Sequence, residues 1–380
     1  MKRSMQRILT THTGSLPRPD ELRSLLIARE THESYDEAAL ETAIQTATHA
    51  VVRQQLDAGI DVVNDGEMSR LGFANYVIDR FTGFEGEGRF PAWADRLDHP
   101  DFVGRRPTGS KTALRIPSCT GPITYKDPEA IQRDIANFTA ALQGVQPTDT
   151  FLTAASPGVI AGLLNNQYYP SYKAYLEALA EAMRQEYTAI HRAGFLLQID
   201  APDLSSSRHL NFAQASLEEW RRTITLHVEV LNAALADIPP DRIRLHLCWG
   251  NYEGPHHRDV ELKDMIDIAL TARVGAVSIE GANPRHAHEW KVFQEVTLPA
   301  GLLLIPGVID STTNFIEHPE LVAERIVRLA TLVGRENVIG GVDCGFSSNA
   351  DLPPAVAPSI VWAKLHSLAE GARIASQQLW

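Results

Sequence analysis

Short apolar runs alternate along the chain with longer stretches in which apolar residues recur at helical spacing. Several of the short runs are rich in β-branched residues and are bounded by Gly, Pro or Asp, which is typical of buried parallel strands. Eight runs are predicted as strands: Asp61–Asn64, Ala113–Pro117, Phe151–Ala154, Leu196–Ile199, Ile243–Leu247, Ala276–Ile279, Leu302–Ile305 and Val338–Val342.

The longer stretches between these runs are predicted as helices, and Gly194 is placed to end one of them as a C-terminal cap. The predicted helices are Tyr35–Ala58, Ser171–Ala193, Ser216–Ala236, Leu262–Arg273, Pro319–Val333 and Pro358–Ser376. Strands and helices in alternation predict an α/β protein with a (β/α)8 barrel.

Two segments fall outside this alternation. Ile8–Thr13 is predicted as an extra extended arm before the barrel. Residues from about 71 to 110, rich in Gly, Arg, Phe and Pro, are predicted as a long insertion after the first strand. Loops of that length are usually lids or binding loops. Without a linker or an internal repeat, residues 1–380 are predicted to form a single domain.

Composition narrows the classes of partner. The net charge of −12 argues against nucleic acid or an anionic membrane surface as the main partner. No apolar run approaches the roughly 20 residues that a membrane span needs. Three cysteines, far apart in the sequence, do not suggest a disulfide framework. A reducing cytoplasm is therefore the predicted location.

Two of those cysteines are candidate metal ligands. His246 and Cys248 stand two residues apart on the fifth predicted strand and so share one side of it, while Glu280 and Cys344 end the sixth and eighth predicted strands. In a barrel, carboxyl-terminal strand ends face the active-site mouth. Any one of these residues alone would be read as a buried cysteine or a hydrogen-bonded core histidine. One nitrogen, two sulfurs and one carboxylate on one rim favour a zinc site.

Other polar residues are predicted on the same rim. Glu67, Asp200 and Asp310 follow the first, fourth and seventh predicted strands. Asp310 is a candidate catalytic residue, with capping of a helix or turn as the alternative. Gly14 and Ser15 offer backbone N–H groups and a hydroxyl to an anion, and an ordinary turn is the alternative.

Cys119 and the pair His256-His257 are less specific candidates. Cys119 follows the second predicted strand and is predicted to line the substrate pocket rather than to bind metal. His256 and His257 follow the strand-five ligands, where contact with substrate and simple exposure to solvent are both open.

These residues resemble the cobalamin-independent methionine synthase family, specifically its catalytic C-terminal barrel. The likeness extends from the motif Thr11-His-Thr-Gly-Ser-Leu-Pro17 to Cys344 and includes short single-barrel relatives such as epoxyalkane:coenzyme M transferase. The resemblance implies that zinc is held by His246, Cys248, Glu280 and Cys344. It also implies that the thiol substrate is contacted by Gly14, Ser15, Glu67 and Asp200.

The sequence departs from the methionine synthase pattern on the donor side. Ala201 stands where those enzymes carry glutamate, Ser206 where a second glutamate contacts folate, and Thr312 where a histidine donates a proton. The tryptophan that stacks on the pterin has no counterpart in residues 155–166. The resemblance thus implies zinc and thiol chemistry and leaves the alkyl donor open.

Three functions follow as hypotheses. The first is zinc-dependent methyl transfer to homocysteine or a similar thiol, which becomes a zinc-bound thiolate while Glu280 gives up its place to the sulfur. The second is alkylation of another thiol, such as coenzyme M, by an epoxide. Its sulfonate would need cations from the insertion: Arg80, Arg89, Arg96, Arg105 and Arg106. The third is a non-catalytic zinc- or thiol-binding barrel. In each case the partners are small molecules, and a homo-oligomer is left open.

Overall fold

The computed structural model describes residues 1–88, 92–103 and 115–380, and it has the predicted α/β character with a parallel sheet. Arg89, Arg105 and Arg106 of the insertion lie outside the described residues. The strands of the described residues are β1 (Leu9–Thr10), β2 (Val62–Val63), β3 (Phe84–Glu85), β4 (Ser118–Cys119), β5 (Asp149–Ala155), β6 (Leu196–Asp200), β7 (Ile243–His246), β8 (Ala276–Ile279), β9 (Leu303–Pro306) and β10 (Ile339–Gly340).

The central sheet is parallel throughout, with strand order β2-β5-β6-β7-β8-β9. A second parallel pair, β1 and β10, meets both edges of that sheet through isolated bridges. Thr11 bridges to Val62 at one edge, and Leu304 bridges to Val338 at the other. The sheet is therefore curled, so that its strand ends approach one another.

The N-terminal segment belongs to this sheet. Leu9 pairs with Ile339 and Thr10 with Gly340, so the prediction of Ile8–Thr13 as an extra arm before the barrel is wrong. The buried Arg244 side chain holds the same segment from inside the sheet, donating to Thr11 Oγ1 at 2.9 Å and to the carbonyl of His12 at 2.8 Å. These contacts explain why a segment with so few apolar residues is fixed in the sheet.

The predicted strand Ala113–Pro117 is also wrong where it can be compared. Residues 113 and 114 lie outside the described residues, and residues 115–117 form no strand. The next strand, β4, pairs antiparallel with β3, a strand of the insertion, and is not part of the central sheet.

Five of the six predicted helices are present with bounds close to those expected, and Gly194 follows the second of them with a φ of +89°. The prediction for Leu262–Arg273 is only partly right, because Met265 (φ −139°) interrupts the segment and leaves two short turns. The helices of the described residues are α1 (Asp20–Glu30), α2 (Glu37–Asp57), α3 (Val77–Arg80), α4 (Ala94–Leu97), α5 (Pro100–Val103), α6 (Pro128–Ala141), α7 (Pro157–Leu163), α8 (Tyr172–Arg192), α9 (Ser207–Leu210), α10 (Leu217–Ala234), α11 (Ile266–Ala269), α12 (Pro319–Val333) and α13 (Pro358–Leu379).

Side-chain caps explain two helix starts that the periodicity alone did not reveal. Asp127 caps α6 by accepting from the backbone of Glu129 and Ala130, with Pro128 in the first turn. Ser156 caps α7 in the same way, ahead of Pro157.

Among the helices of the described residues, none combines the length and the apolar character that crossing a bilayer requires.

The base of the insertion is fixed to helices α6 and α8 by a buried ionic cluster. Arg80 pairs with Asp134 at 2.5 Å and with Glu186 at 2.9 Å, and Arg70 lies 3.8 Å from Glu186. Tyr76 donates to the same Glu186 carboxylate at 2.7 Å. Arg80 is therefore engaged by these two carboxylates and not directed to a substrate.

Candidate metal centre and thiol site

Three of the predicted ligands converge at the carboxyl end of the sheet. His246 ends β7, Cys248 follows it by two residues, and Cys344 lies in the loop after β10. Their donor atoms all lie within 4.8 Å of one another, and all three residues are buried. The Cys344 sulfur is 2.7 Å from the Cys248 sulfur and 3.7 Å from His246 Nε2, and both cysteines are free thiols.

The protonation states of this group follow from its burial. Burial, helped by the charge of Arg244, lowers the pKa of His246 to about 3, which leaves a neutral imidazole. The hydrogen bond from Cys344 lowers the pKa of Cys248, yet burial and the charge of Glu280 outweigh it and raise the value to about 11. Burial also raises the pKa of Cys344 well above its ordinary value. The protein alone therefore holds neutral thiols beside a neutral imidazole.

This donor set fits a zinc ion. Two sulfurs and an imidazole match the ligand preference of zinc, and a divalent cation would deprotonate thiols that burial otherwise keeps neutral. His246 Nδ1 is also buried without a hydrogen-bond partner in the described structure, so no protein group fixes the ring through that atom.

Glu280 lies beside the three donors, but it is not part of the group within 4.8 Å. Its Oε1 is 3.5 Å from the Cys344 sulfur and accepts the backbone N–H of Trp249 at 2.7 Å. Its Oε2 accepts from Asn283 at 2.8 Å. Burial raises the pKa of this carboxyl. The structure thus brings Glu280 to the centre with both oxygens engaged by protein donors.

Sequence reasoning missed Asp343, which organises the loop after Glu280. Its Oδ1 accepts the N–H groups of Gly281 and Ala282 at 2.8 and 2.9 Å, and its Oδ2 accepts that of Asn283 at 2.9 Å. Because the Asn283 side chain also holds Glu280, the residue before Cys344 orients the candidate fourth ligand. The only local signal would have been the position of Asp343 next to a candidate ligand.

Glu67 and Gly14 lie together near this centre. Glu67 has a φ of +58°, and its Oε1 accepts from Thr153 Oγ1 at 2.9 Å. Its Oε2 is buried and has no hydrogen-bond partner in the described structure. Arg18, also missed from the sequence, donates to the Glu67 carbonyl at 2.8 Å and lies 3.9 Å from Oε2. A buried carboxylate oxygen without a donor is suited to a cationic ligand group.

Asp200 ends β6, two strands from β2 in the sheet, with β5 between them. The predicted first and fourth strands are therefore separated in the sheet by one strand only. They flank β5, which carries Thr153. Gln198 donates to Asp200 Oδ1 at 2.7 Å, and burial, reinforced by the charge of Glu67, raises the pKa of Asp200 well above its ordinary value.

Ser15 lies against the loop that follows Cys344. Its hydroxyl accepts from the backbone N–H of Ser347 at 3.3 Å, and its carbonyl accepts from that of Phe346 at 2.9 Å. A Cβ added at Gly345 would lie 2.0 Å from Ser15 Oγ. Gly14 and Ser15 thus bring the Glu67 side of the site next to Cys344.

Asp310 is placed at the carboxyl end of β9 as expected, but its carboxylate serves its own loop. Oδ1 accepts from the backbone and hydroxyl of Thr312 at 2.9 and 2.8 Å, and Oδ2 accepts from those of Thr313 at 3.1 and 2.5 Å. This arrangement matches the capping alternative. It gives no support to Asp310 as a catalytic group.

Cys119 is not brought to the centre by the contacts it makes. It lies in β4, where its backbone pairs with Asn165 and Gln167 and its thiol donates to the carbonyl of Gly121 at 3.5 Å. Because β4 is outside the central sheet, the premise for a role in the substrate pocket, a barrel strand end, is wrong.

Gly14 offers a direct test of this geometry. It has a φ of +146°, and an added Cβ would lie 2.7 Å from Thr153 Cγ2 and 2.9 Å from Glu67 Oε1. We expect Gly14→Ala to displace the Glu67 carboxylate and weaken the binding of an amino-acid thiol by about 10-fold or more, since one charged hydrogen bond contributes ~1.5–3 kcal/mol. Titration calorimetry measures this. Gly301→Ala is the matched control, because its φ of +86° is also positive but nothing lies within 4 Å of an added Cβ.

Comparison with known proteins identifies the family of the chain. The family model of the cobalamin-independent synthase catalytic domain matches residues 8–103 and 161–355. The chain belongs to this family. The matched residues include the three converging ligands, Glu280, Gly14, Glu67 and Asp200. Cys119 and Thr153 fall in the unmatched stretch between the two segments.

Members of the cobalamin-independent synthase family resemble the chain over nearly its whole length. The methionine synthase of Saccharolobus solfataricus is 26% identical over 374 residues, which covers 97% of this chain and 95% of the relative. That of Sulfolobus acidocaldarius is 27% identical over 373 residues, with coverage of 97% and 93%. The structure of a B12-independent methionine synthase from Shewanella sp. W3-18-1, in complex with selenomethionine, aligns with a TM-score of 0.73 over 98% of this chain and 99% of that one. At 18% identity it shows a shared fold.

Proposed function

We propose that the protein is a zinc-dependent methyltransferase that alkylates a small amino-acid thiol of the homocysteine type, on a closed (β/α)8 barrel that forms a single domain. The observation that carries the proposal is the convergence of His246, Cys248 and Cys344 beside two buried carboxylates, Glu67 and Asp200. A purely structural zinc site has no need of those carboxylates. Membership of the cobalamin-independent synthase family, whose matched relatives are named methionine synthases, supports the same reading.

His246, Cys248 and Cys344 would hold the metal, with Glu280 as a fourth, exchangeable ligand. Zinc, when bound there, lowers the pKa of a substrate thiol and keeps its sulfur nucleophilic at neutral pH. The backbone N–H of Trp249 and the side chain of Asn283 each donate a hydrogen bond to the Glu280 carboxylate. These donors would stabilise the carboxylate if it gave up its ligand position to the substrate sulfur.

The rest of the site would bind and orient the amino acid. Glu67 Oε2 and Asp200 would receive its ammonium group, and Thr153 fixes Glu67 by donating to the other carboxylate oxygen. The backbone of Gly14 and the hydroxyl of Ser15 would bind the carboxylate group of the amino acid. The family resemblance implies this role for both residues. Burial of all these groups excludes water from the reacting sulfur.

Alkylation of a thiol that carries a sulfonate, such as coenzyme M, is the second candidate. The described insertion arginines favour it less: Arg80 is paired with Asp134 and Glu186, and Arg96 lies over the Tyr252 ring at 4.1 Å. The identity of the alkyl donor stays open between a folate, a corrinoid, an epoxide and another small donor. The cytoplasmic location stays a prediction, and the oligomeric state stays open.

Thiol binding tests the proposal directly. A cobalt-substituted enzyme should develop a stronger sulfur-to-metal charge-transfer band when homocysteine is added, with release of about one proton per site. The band should respond to homocysteine at lower concentration than to coenzyme M. Absence of any change with either thiol, or with cysteine, would contradict thiol activation.

A further inference from the structure

Residues 93–99 of the insertion pack against the loop that follows β7 and the candidate ligand Cys248. We call residues 93–99 the latch and residues 249–258, which begin directly after Cys248, the Cys248 loop. Asp95 of the latch is fully buried, and its Oδ2 accepts from the Tyr252 hydroxyl and, at 3.0 Å, from the backbone N–H of His256. One buried carboxylate thus holds two points of the Cys248 loop.

Aromatic packing reinforces this contact. The rings of Trp93 and Tyr252 lie 4.4 Å apart between centroids, and Arg96 lies over the Tyr252 ring. Trp93 also covers Gly250, which has a φ of +127°. A Cβ added there would lie 2.5 Å from Trp93 Cζ3. The indole therefore occupies the space above the residue that stands two positions after Cys248.

The Cys248 loop in turn contacts the candidate ligands. The N–H of Trp249 donates to Glu280 Oε1 at 2.7 Å, and the N–H of Gly250 donates to the Cys248 sulfur at 3.3 Å. The Asn251 side chain donates to Ser348 Oγ at 2.8 Å, in the loop that follows Cys344. A shift of this loop would therefore change hydrogen bonds to two ligands at once.

The Cys248 loop is held from the barrel side as well. His256 Nδ1 lies 2.7 Å from Asp259 Oδ2, and His286 Nε2 lies 3.0 Å from the same oxygen. These histidines gather around a carboxylate, but within the described chain His246, Cys248 and Cys344 are the group that brings three donor atoms within 4.8 Å. The Asp259 cluster thus anchors one side of the loop, and the latch anchors the other.

We propose that Trp93 and Asp95 are positioning residues for the metal centre, acting through the Cys248 loop. The inference rests on the proposed function, because it gives the insertion a role in positioning the proposed zinc ligands. Asp95 acts through charge-assisted hydrogen bonds, which are the stronger kind, and Trp93 acts by packing on Gly250. Outer groups that orient ligands alter metal affinity by about 10- to 100-fold when they are removed.

The test uses the full-length zinc protein and the variants Asp95→Asn and Tyr252→Phe, which remove the carboxylate charge and its phenol donor in turn. Zinc release to a chromophoric chelator should be about 10-fold faster in Asp95→Asn and faster by a smaller factor in Tyr252→Phe. In the cobalt-substituted forms, the sulfur-to-metal band should move to longer wavelength, because the N–H group of Gly250 donates less to the sulfur. Asp101→Asn is the matched control, since Asp101 lies on the same insertion with an exposed side chain.

The possible outcomes distinguish the positioning role of residues 93–99 from the proposed function. If the wild type holds zinc, and Asp95→Asn and Tyr252→Phe both release it at the wild-type rate with an unshifted cobalt band, the positioning role alone is overturned. A wild-type protein that binds no zinc would overturn the proposed function and the latch with it. Should Asp95→Asn fail to fold, Tyr252→Phe still decides, because it removes one hydroxyl and preserves the ring packing on Trp93.

Discussion

Replacing Cys248 or Cys344 with serine is expected to remove zinc and abolish alkyl transfer. A serine hydroxyl is a poor zinc ligand, and each sulfur is one of three donors that lie within 4.8 Å. Since loss of a mere orienting group costs about 10- to 100-fold in metal affinity, loss of a ligand should exceed about 100-fold. Metal analysis after dialysis, together with an alkyl-transfer assay, measures both effects.

Cys119→Ser is the matched control for these variants. Cys119 is the third free and buried cysteine, and its contacts are confined to the region of β4. We expect Cys119→Ser to retain about one zinc ion per chain. Full zinc retention in Cys248→Ser and Cys344→Ser would contradict the assignment of the centre.

The candidate ligands could be predicted because their arrangement follows from local rules. Residues two apart on a strand share a side, which predicts that His246 and Cys248 point together. In the structure β7 ends at His246 and Cys248 lies just beyond it, yet both donor atoms reach the same group. Parallel strand ends meet at one edge, which brought Cys344 to the same place. These rules do not depend on which distant residues pack nearby.

The N-terminal strand could not be predicted in this way. β1 is two residues long and is followed by Thr11 and His12, so it lacks the apolar run that marks the other strands. Its place in the sheet depends on pairing with β10 and on hydrogen bonds from Arg244, 233 residues away from Thr11. Without this N-terminal strand, the predicted strand Ala113–Pro117 makes up the count of eight strands.

The positioning residues were missed for the same physical reason. Thr153 is defined by its hydrogen bond to Glu67, 86 residues away, and Asp343 by bonds to a loop about 60 residues away. Asp95 holds Tyr252 across 157 residues. A threonine in a strand or an aspartate in a loop carries no local sign of such a partner, so only the folded chain reveals it.

The two buried carboxylates, Glu67 and Asp200, are expected to favour binding of an amino-acid thiol over other thiols. Glu67 Oε2 has no donor within the described structure, and Asp200 is held by Gln198 through one oxygen. Burial and mutual repulsion raise the pKa of Asp200, and an ammonium group placed between the two carboxylates would relieve both effects. A sulfonate in the same position would add to the repulsion.

Asp200→Asn and Glu67→Gln are therefore each expected to weaken homocysteine binding by about 10- to 100-fold, since a hydrogen bond to a charged group contributes ~1.5–3 kcal/mol. The substitutions should leave binding of 4-mercaptobutyrate, which keeps the thiol and the carboxylate and lacks the amino group, within about 2-fold of the wild type. Titration calorimetry of the zinc-loaded proteins against both ligands completes the cycle, with coenzyme M as a third ligand. Equal losses for homocysteine and 4-mercaptobutyrate would mean that the carboxylates shape the pocket without reading the amino group. Tighter binding of coenzyme M than of homocysteine by the wild type would favour the epoxide-type alternative.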